Sequence, residues 1–142
     1  MTTTYLLDTG AWVGLLDRND PFHDWAQRVF EEIAGPFLTC DAVVTECSHF
    51  VNGAPQVLQA IERGLVRPSF DTAGEITRLL QIQRQFADRA PDFADLCLIR
   101  MSEIHPRCRV ITVDAADFRV YRRNGRQMIP ILCPPERATS QM

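Results

Sequence analysis

Thr4-Tyr5-Leu6-Leu7-Asp8-Thr9-Gly10-Ala11-Trp12-Val13-Gly14-Leu15-Leu16, near the amino terminus, sets the reading of the whole chain. Thr4 to Asp8 is a short β-prone run that stops on an acid, and Ala11 to Leu16 is apolar all round, as in a buried helix or turn. The simplest reading is a strand that delivers a carboxylate to its end and passes straight into a helix.

The same alternation continues downstream. Asp20-Pro21 marks a helix start, because proline is tolerated in a first turn and aspartate caps it; Phe22, Trp25, Ala26, Val29, Phe30 and Ile33 then recur at helical spacing until Gly35-Pro36. Phe37 to Thr39 reads as the next strand, Asp41 as an N-cap, and Ala42 to Val51 as a helix with Val43, Val44, Cys47, Phe50 and Val51 on its apolar side, ended by Asn52-Gly53. Short helical and strand patterns follow over Pro55 to Arg63 and Leu65 to Arg67, then a long helical pattern over Thr72 to Asp88. Pro91 interrupts it, and Asp92 to Ile104 resumes as a helix apolar over much of its circumference. Arg109 to Val113 is a β-branched strand stopping at Asp114, Ala115 to Arg122 a short helix, Asn124-Gly125 a turn, and Met128 to Leu132 a last strand. Strands alternating with helices predict a three-layer α/β/α sandwich around a mostly parallel sheet of four to five strands, with the ligand site beyond the carboxyl ends of the strands.

At 142 residues and 46 % hydrophobic content the chain has the length of one domain, read here as residues 1–133 followed by a frayed Pro-rich tail over 134–142. Its net charge of −3 excludes a general nucleic-acid coat protein but not an enzyme whose acidic pocket is neutralised by a cation. All fifteen basic residues are arginine. The five cysteines, Cys40, Cys47, Cys97, Cys108 and Cys133, form no Cys-x-x-Cys pair and read as small buried hydrophobes. No apolar stretch approaches the roughly 18 residues a membrane span needs, so no membrane partner is expected and a reducing cytoplasm is the default.

Four acids carry the chemistry: Asp8 and Asp114 at strand ends, Glu46 one turn into its helix, and Asp95 in the first turn of another. Carboxylates that converge repel one another unless a cation compensates them, and oxygen-only ligands suit Mg²⁺ or Mn²⁺, ions that assist in-line hydrolysis of phosphodiesters. Glu46 lies beside the buried side of its helix, where an unpaired charge needs a partner. Asp92 is either the N-cap of its helix or an accessory acid, and Asp117 stands to Asp114 in the same two ways. The three histidines, His23, His49 and His105, make no His-x-x-x-His pair, and no serine sits in a nucleophile elbow. Arg78, Arg84 and Arg89 read as a solvated helix face.

Taken together, Leu6-Leu7-Asp8-Thr9-Gly10-Ala11-Trp12, Thr45-Glu46, Asp92-Phe93-Ala94-Asp95 and Ile111-Thr112-Val113-Asp114-Ala115-Ala116-Asp117-Phe118 resemble the four motif blocks of PIN-domain ribonucleases, in order, from Tyr5 to about Leu132. The compact length resembles the VapC-type toxins of prokaryotic toxin-antitoxin pairs. The resemblance implies a Mg²⁺-dependent endoribonuclease in which Asp8, Glu46, Asp95 and Asp114 are catalytic. Asp8, Asp95 and Asp114 would hold the metal, Glu46 directly or through water. Thr9 and Thr112 would be polar supports, with Asp92 and Asp117 as accessory acids. It also implies a homodimer and a cognate antitoxin that offers a basic side chain to the acids. Arg122, Arg123 and Arg126 are the candidate contacts to RNA phosphates, and an exposed surface face is the alternative; a single-stranded loop is the expected target.

Rival readings are weaker. Asp8-Thr9-Gly10 matches the signature of dimeric aspartic proteases, but that requires an all-β protomer, against three long helical patterns. A phospho-acceptor domain would need a lysine to bind the phosphoryl group, and the chain has none. A catalytically silent domain of the same fold, binding RNA or serving as a scaffold, remains the non-enzymatic alternative.

Overall fold

The structure is a computed structural model describing residues 2–136. Its first strand, β1 (Thr4–Leu7), leads through Asp8 into α1 (Thr9–Leu16), and α2 (His23–Glu32) returns the chain to β2 (Phe37–Thr39). Then come α3 (Asp41–Phe50), α4 (Pro55–Glu62), β3 (Val66–Pro68), α5 (Ile76–Gln85), α6 (Phe93–Ile104), β4 (Cys108–Ile111) and α7 (Ala115–Val120). A two-residue-per-arm hairpin, β5 (Arg122–Arg123) and β6 (Gln127–Met128), precedes β7 (Ile131–Leu132).

Five strands form one parallel sheet in the order β3-β2-β1-β4-β7, with helices on both faces, so the fold is the expected three-layer sandwich. Leu6, Leu7, Val110 and Ile111 are fully buried, as two-sided cover of a parallel sheet requires. Trp12, Phe37, Val43, Leu98 and Ile99 complete the core around them. From β1 the chain builds outward through β2 and β3 on one side, then crosses to β4 and β7 on the other. The reversal of strand order falls between β1 and β4, where sheets of this class open a crevice at their carboxyl ends.

Several boundaries differ from the sequence reading. Helix α2 starts at His23, because Asp20 and Pro21 close a turn in which the Phe22 N–H donates to Asp20 Oδ1 at 2.8 Å. Cys40, not Asp41, is the N-cap of α3, and Asp41 is the first helical residue. Thr72 to Glu75 form turns before α5, and a 3₁₀ turn over Ala87–Arg89 separates α5 from Ala90, whose φ of 46° redirects the chain before Pro91. The single strand expected over Met128 to Leu132 is two: Met128 pairs with Arg122 in the hairpin, while Ile131 pairs with Val110 in the main sheet. Pro130, with no N–H to give a ladder, lies between them and accepts from the Val110 N–H at 2.9 Å. The tail expected from Pro134 falls mostly outside the described residues.

All five cysteines are free, and four of them are buried, with Cys133 half-buried. Arg78 and Arg89 are not simply solvated: Arg78 grips Glu103 of α6 through Nε and Nη2, and Arg89 pairs with Asp117. Among the described residues no helix is long and apolar enough to cross a membrane.

Candidate active site

Parallel pairing of Leu7 with Ile111 places Asp8, the next residue of one strand, beside Thr112, the next of the other. Asp8 is 4 % exposed and held at three points. Its own N–H donates to the Ile111 carbonyl at 3.0 Å, the Thr9 N–H donates to Oδ1 at 2.8 Å, and the Thr112 hydroxyl donates to Oδ2 at 2.7 Å. Asp114 does not close a strand as expected, because β4 stops at Ile111; it is the N-cap of α7, and its N–H donates to the Thr112 oxygen at 2.9 Å, so one buried hydroxyl ties the acid that closes β1 to the one that opens α7. The Thr9 hydroxyl is buried without a partner, and support from this residue comes from its backbone. Thr39, at the end of β2, donates to the Leu7 carbonyl at 2.7 Å and fixes the other flank of β1.

Gly10 explains how α1 comes so near. A Cβ there would lie 2.4 Å from Val113 Cγ2, so only glycine lets the first turn of α1 pass against the segment carrying Asp114.

Asp95 arrives from α6. Asp92 is the N-cap of that helix, its Oδ1 accepting from the Asp95 N–H at 2.8 Å, while Asp95 Oδ2 accepts from the hydroxyl of Tyr121 at 2.9 Å. The Tyr121 ring is buried edge-on against Phe86 and Phe118. Glu46 projects from α3, half-buried, with neither a hydrogen bond nor an ion pair among the described residues.

These residues face one cavity of about 370 Å³ that Asp8, Asp20, Glu46, Asp92, Asp95 and Asp114 line together with Thr9, Gly10 and the exposed Phe50. Among the described residues no arginine or histidine lines it. The carboxyls respond as uncompensated acids do. Asp8 is pushed up to about 6, by burial first and then by Asp114 and Asp92, against the two hydrogen bonds that lower it. Asp95 is pushed up to about 7, by burial, then Asp92, with the Tyr121 hydrogen bond opposing. Burial, then neighbouring acids, also raises Glu46 (Asp92, Asp114) and Asp114 (Asp117, Asp92).

The remaining candidates lie elsewhere. Asp117 pairs with Arg89 at 2.8 Å and does not line the cavity. Arg122 donates through Nη1 to the carbonyls of Arg119, Val120 and Tyr121, and Arg123 to the Ser102 carbonyl at 2.9 Å, so both guanidinium groups are used in closing α7 and docking the hairpin on α6. Arg126 is exposed at the hairpin tip. Asp20 and Tyr121 are the two site residues that sequence reasoning did not find. Asp20-Pro21 carries the signal of a helix start, and nothing local marks Tyr121 as the partner of Asp95.

The family model for the PIN domain matches residues 5–123, most of the chain. The chain belongs to the PIN-domain family. No curated protein matches it at a significant level. The PIN domain is a nuclease fold that typically uses divalent metal ions, and it implies contact with nucleic acid. The donor set of this PIN domain fits such an ion: every titratable group of the cavity is a hard oxygen ligand, and the buried Thr9 hydroxyl beside Asp8 is unpartnered. What it lacks is a ready-made cage, since among the described residues no three His, Cys, Asp or Glu side chains converge closely enough to hold a metal by themselves. Mg²⁺ does not need one, because it commonly keeps several waters and takes one or two carboxylates plus substrate phosphate oxygens.

Proposed function

We propose that this PIN domain is a Mg²⁺- or Mn²⁺-dependent endoribonuclease in which Asp8, Glu46, Asp95 and Asp114 are the catalytic acids. The observation that carries this reading is the cavity at the switch point of the sheet, lined among the described residues by six carboxylates and no basic side chain. Asp8, Asp95 and Asp114 would hold the ion, in part through waters that it keeps, and Glu46 directly or through water. When bound, the cation supplies the positive charge that lets a phosphodiester approach an acidic floor and offsets charge developing on its oxygens.

The chain's own groups divide the remaining work. Thr112 and the Thr9 N–H fix both oxygens of Asp8, so its carboxylate cannot rotate away. Tyr121 holds one oxygen of Asp95 and leaves the other to the cavity. Asp92 orients the first turn that carries Asp95. Glu46 has no hydrogen-bond or ion-pair partner among the described residues, and burial raises its pKa, which suits it to take a proton from attacking water.

Incubation of the purified protein with structured RNAs, with and without Mg²⁺, beside Asp8→Asn and Asp95→Asn, tests the assignment. Cleavage should need the ion and fall by at least about 100-fold in either variant. Cleavage that ignores a chelator or survives both substitutions would remove it. One observation favours another reading, a silent RNA-binding domain: among the described residues no three metal-ligating side chains converge closely; binding without cleavage at any metal concentration would select that one.

The cellular role we assign is that of the toxin in a toxin-antitoxin pair, acting in the cytoplasm as a homodimer restrained by a cognate antitoxin protein. The four motif blocks support it. Growth arrest on expression alone, relieved by co-expression of a short upstream reading frame, is the expected result.

A further inference from the structure

Two large rings are left in solvent on either side of the acidic cavity. Phe50, at the end of α3, is 61 % exposed and lines the cavity itself, and Phe93, at the start of α6, is 48 % exposed. Phe93 lines a second space, about 480 Å³, between α3 and the start of α6, together with Asp41, Ala42, Thr45 and the buried Ala94. That groove shares Glu46, Asp92 and Ala94 with the cavity, so the two are continuous. Its volume lies in the range of sites that hold small molecules of nucleotide size.

We propose that the Phe93 groove is a base-binding subsite: it takes an unstacked nucleobase next to the scissile phosphate of a single-stranded nucleic acid, with Phe93 as the stacking platform and Phe50 receiving a base on the other side. This rests on the nuclease reading above for the position of the phosphate. Charge decides which part of the polymer enters. Asp41, Glu46 and Asp92 repel the phosphates, whereas a neutral base offers a flat apolar face to Phe93 and ring or amino N–H groups to the carboxylates at the rim. Paired bases cannot reach such a platform, because their faces are already stacked in the duplex. A protein strand seated on the same rings is the competing occupant.

Fluorescence anisotropy of a labelled single-stranded RNA 12-mer of mixed sequence, and of its duplex, with wild type, Phe93→Ala and Phe93→Trp in EDTA and in Ca²⁺, tests the subsite. Stacking on one aromatic side chain predicts roughly a tenfold weaker Kd for the single strand in Phe93→Ala, a Kd within about twofold of wild type in Phe93→Trp, and no change for the duplex. In Mg²⁺ cleavage assays Phe93→Ala should raise KM and spare kcat. Phe93-dependent binding without cleavage would support the subsite and remove the nuclease reading. Cleavage whose KM ignores Phe93→Ala would do the reverse. A wild type that binds no single strand would overturn both, and loss of self-association in Phe93→Ala with an unchanged RNA Kd would overturn the subsite in favour of a protein contact.

Discussion

The hydroxyl of Thr112 donates to Asp8 at 2.7 Å from the neighbouring strand, and the same oxygen accepts the N–H of Asp114. A buried hydroxyl used in both directions cannot be replaced by a methyl without leaving two polar groups unsatisfied. Thr112→Val should therefore lower unfolding free energy by about 2–4 kcal/mol, measured by urea titration, and depress cleavage more than 10-fold. Thr112→Ser, which keeps both bonds, should retain most of each.

Burial pushes Asp8 up to about 6, and the sign of its effect on stability follows. Between its unfolded value of 3.8 and about 6 the folded state holds a proton that the unfolded state has released, so metal-free stability falls as pH rises through that window. Asp95, titrating at about 7, extends the decline. In Asp8→Asn the fall should be shallower, and at pH 8 without metal the variant should be the more stable, by on the order of 1–3 kcal/mol. Thermal melts from pH 4 to 8 measure this. Added Mg²⁺ should raise the wild-type Tm more at pH 8 than at pH 5 and move Asp8→Asn least.

Tyr121 holds Asp95 from a packed aromatic pocket. Removing only its hydroxyl keeps the packing and frees the carboxylate. Tyr121→Phe should fold with a stability within about 1–2 kcal/mol of wild type while weakening the apparent affinity for Mn²⁺ about 10- to 100-fold by titration calorimetry.

Gly10 and Val113 form a steric pair across the site. Gly10→Ala should cost about 1–3 kcal/mol and reduce cleavage by shifting Asp114 away from Asp8. Trimming the opposing side chain, in Gly10→Ala combined with Val113→Ala, should restore a large part of both, a coupling that a double-mutant cycle measures directly.

Features that rest on periodicity were legible in the sequence. The strand-helix alternation gave the parallel sheet, and the acids closing β1 and following β4 were readable because a strand end in such a sheet has a known place. Asp20 and Tyr121 were not, because their roles come from contacts between distant parts of the chain: Tyr121 meets Asp95 across 26 residues. Apolar spacing also misplaced Phe50, which belongs to the helical pattern of α3 but stands in solvent beside the cavity. Arg78 looked solvated because Glu103, the acid that binds it, lies 25 residues on. Periodicity tells which face of a helix is apolar, not whether a partner covers it.

The bond between Thr112 and Asp8 closes a loop of 104 residues. Two of the three groups that hold Asp8, the Ile111 carbonyl and the Thr112 hydroxyl, lie on the far side of that loop, so its frame is complete only while β4 is docked on β1. Any opening that separates β4 from β1 therefore dismantles the acidic pocket along with the sheet.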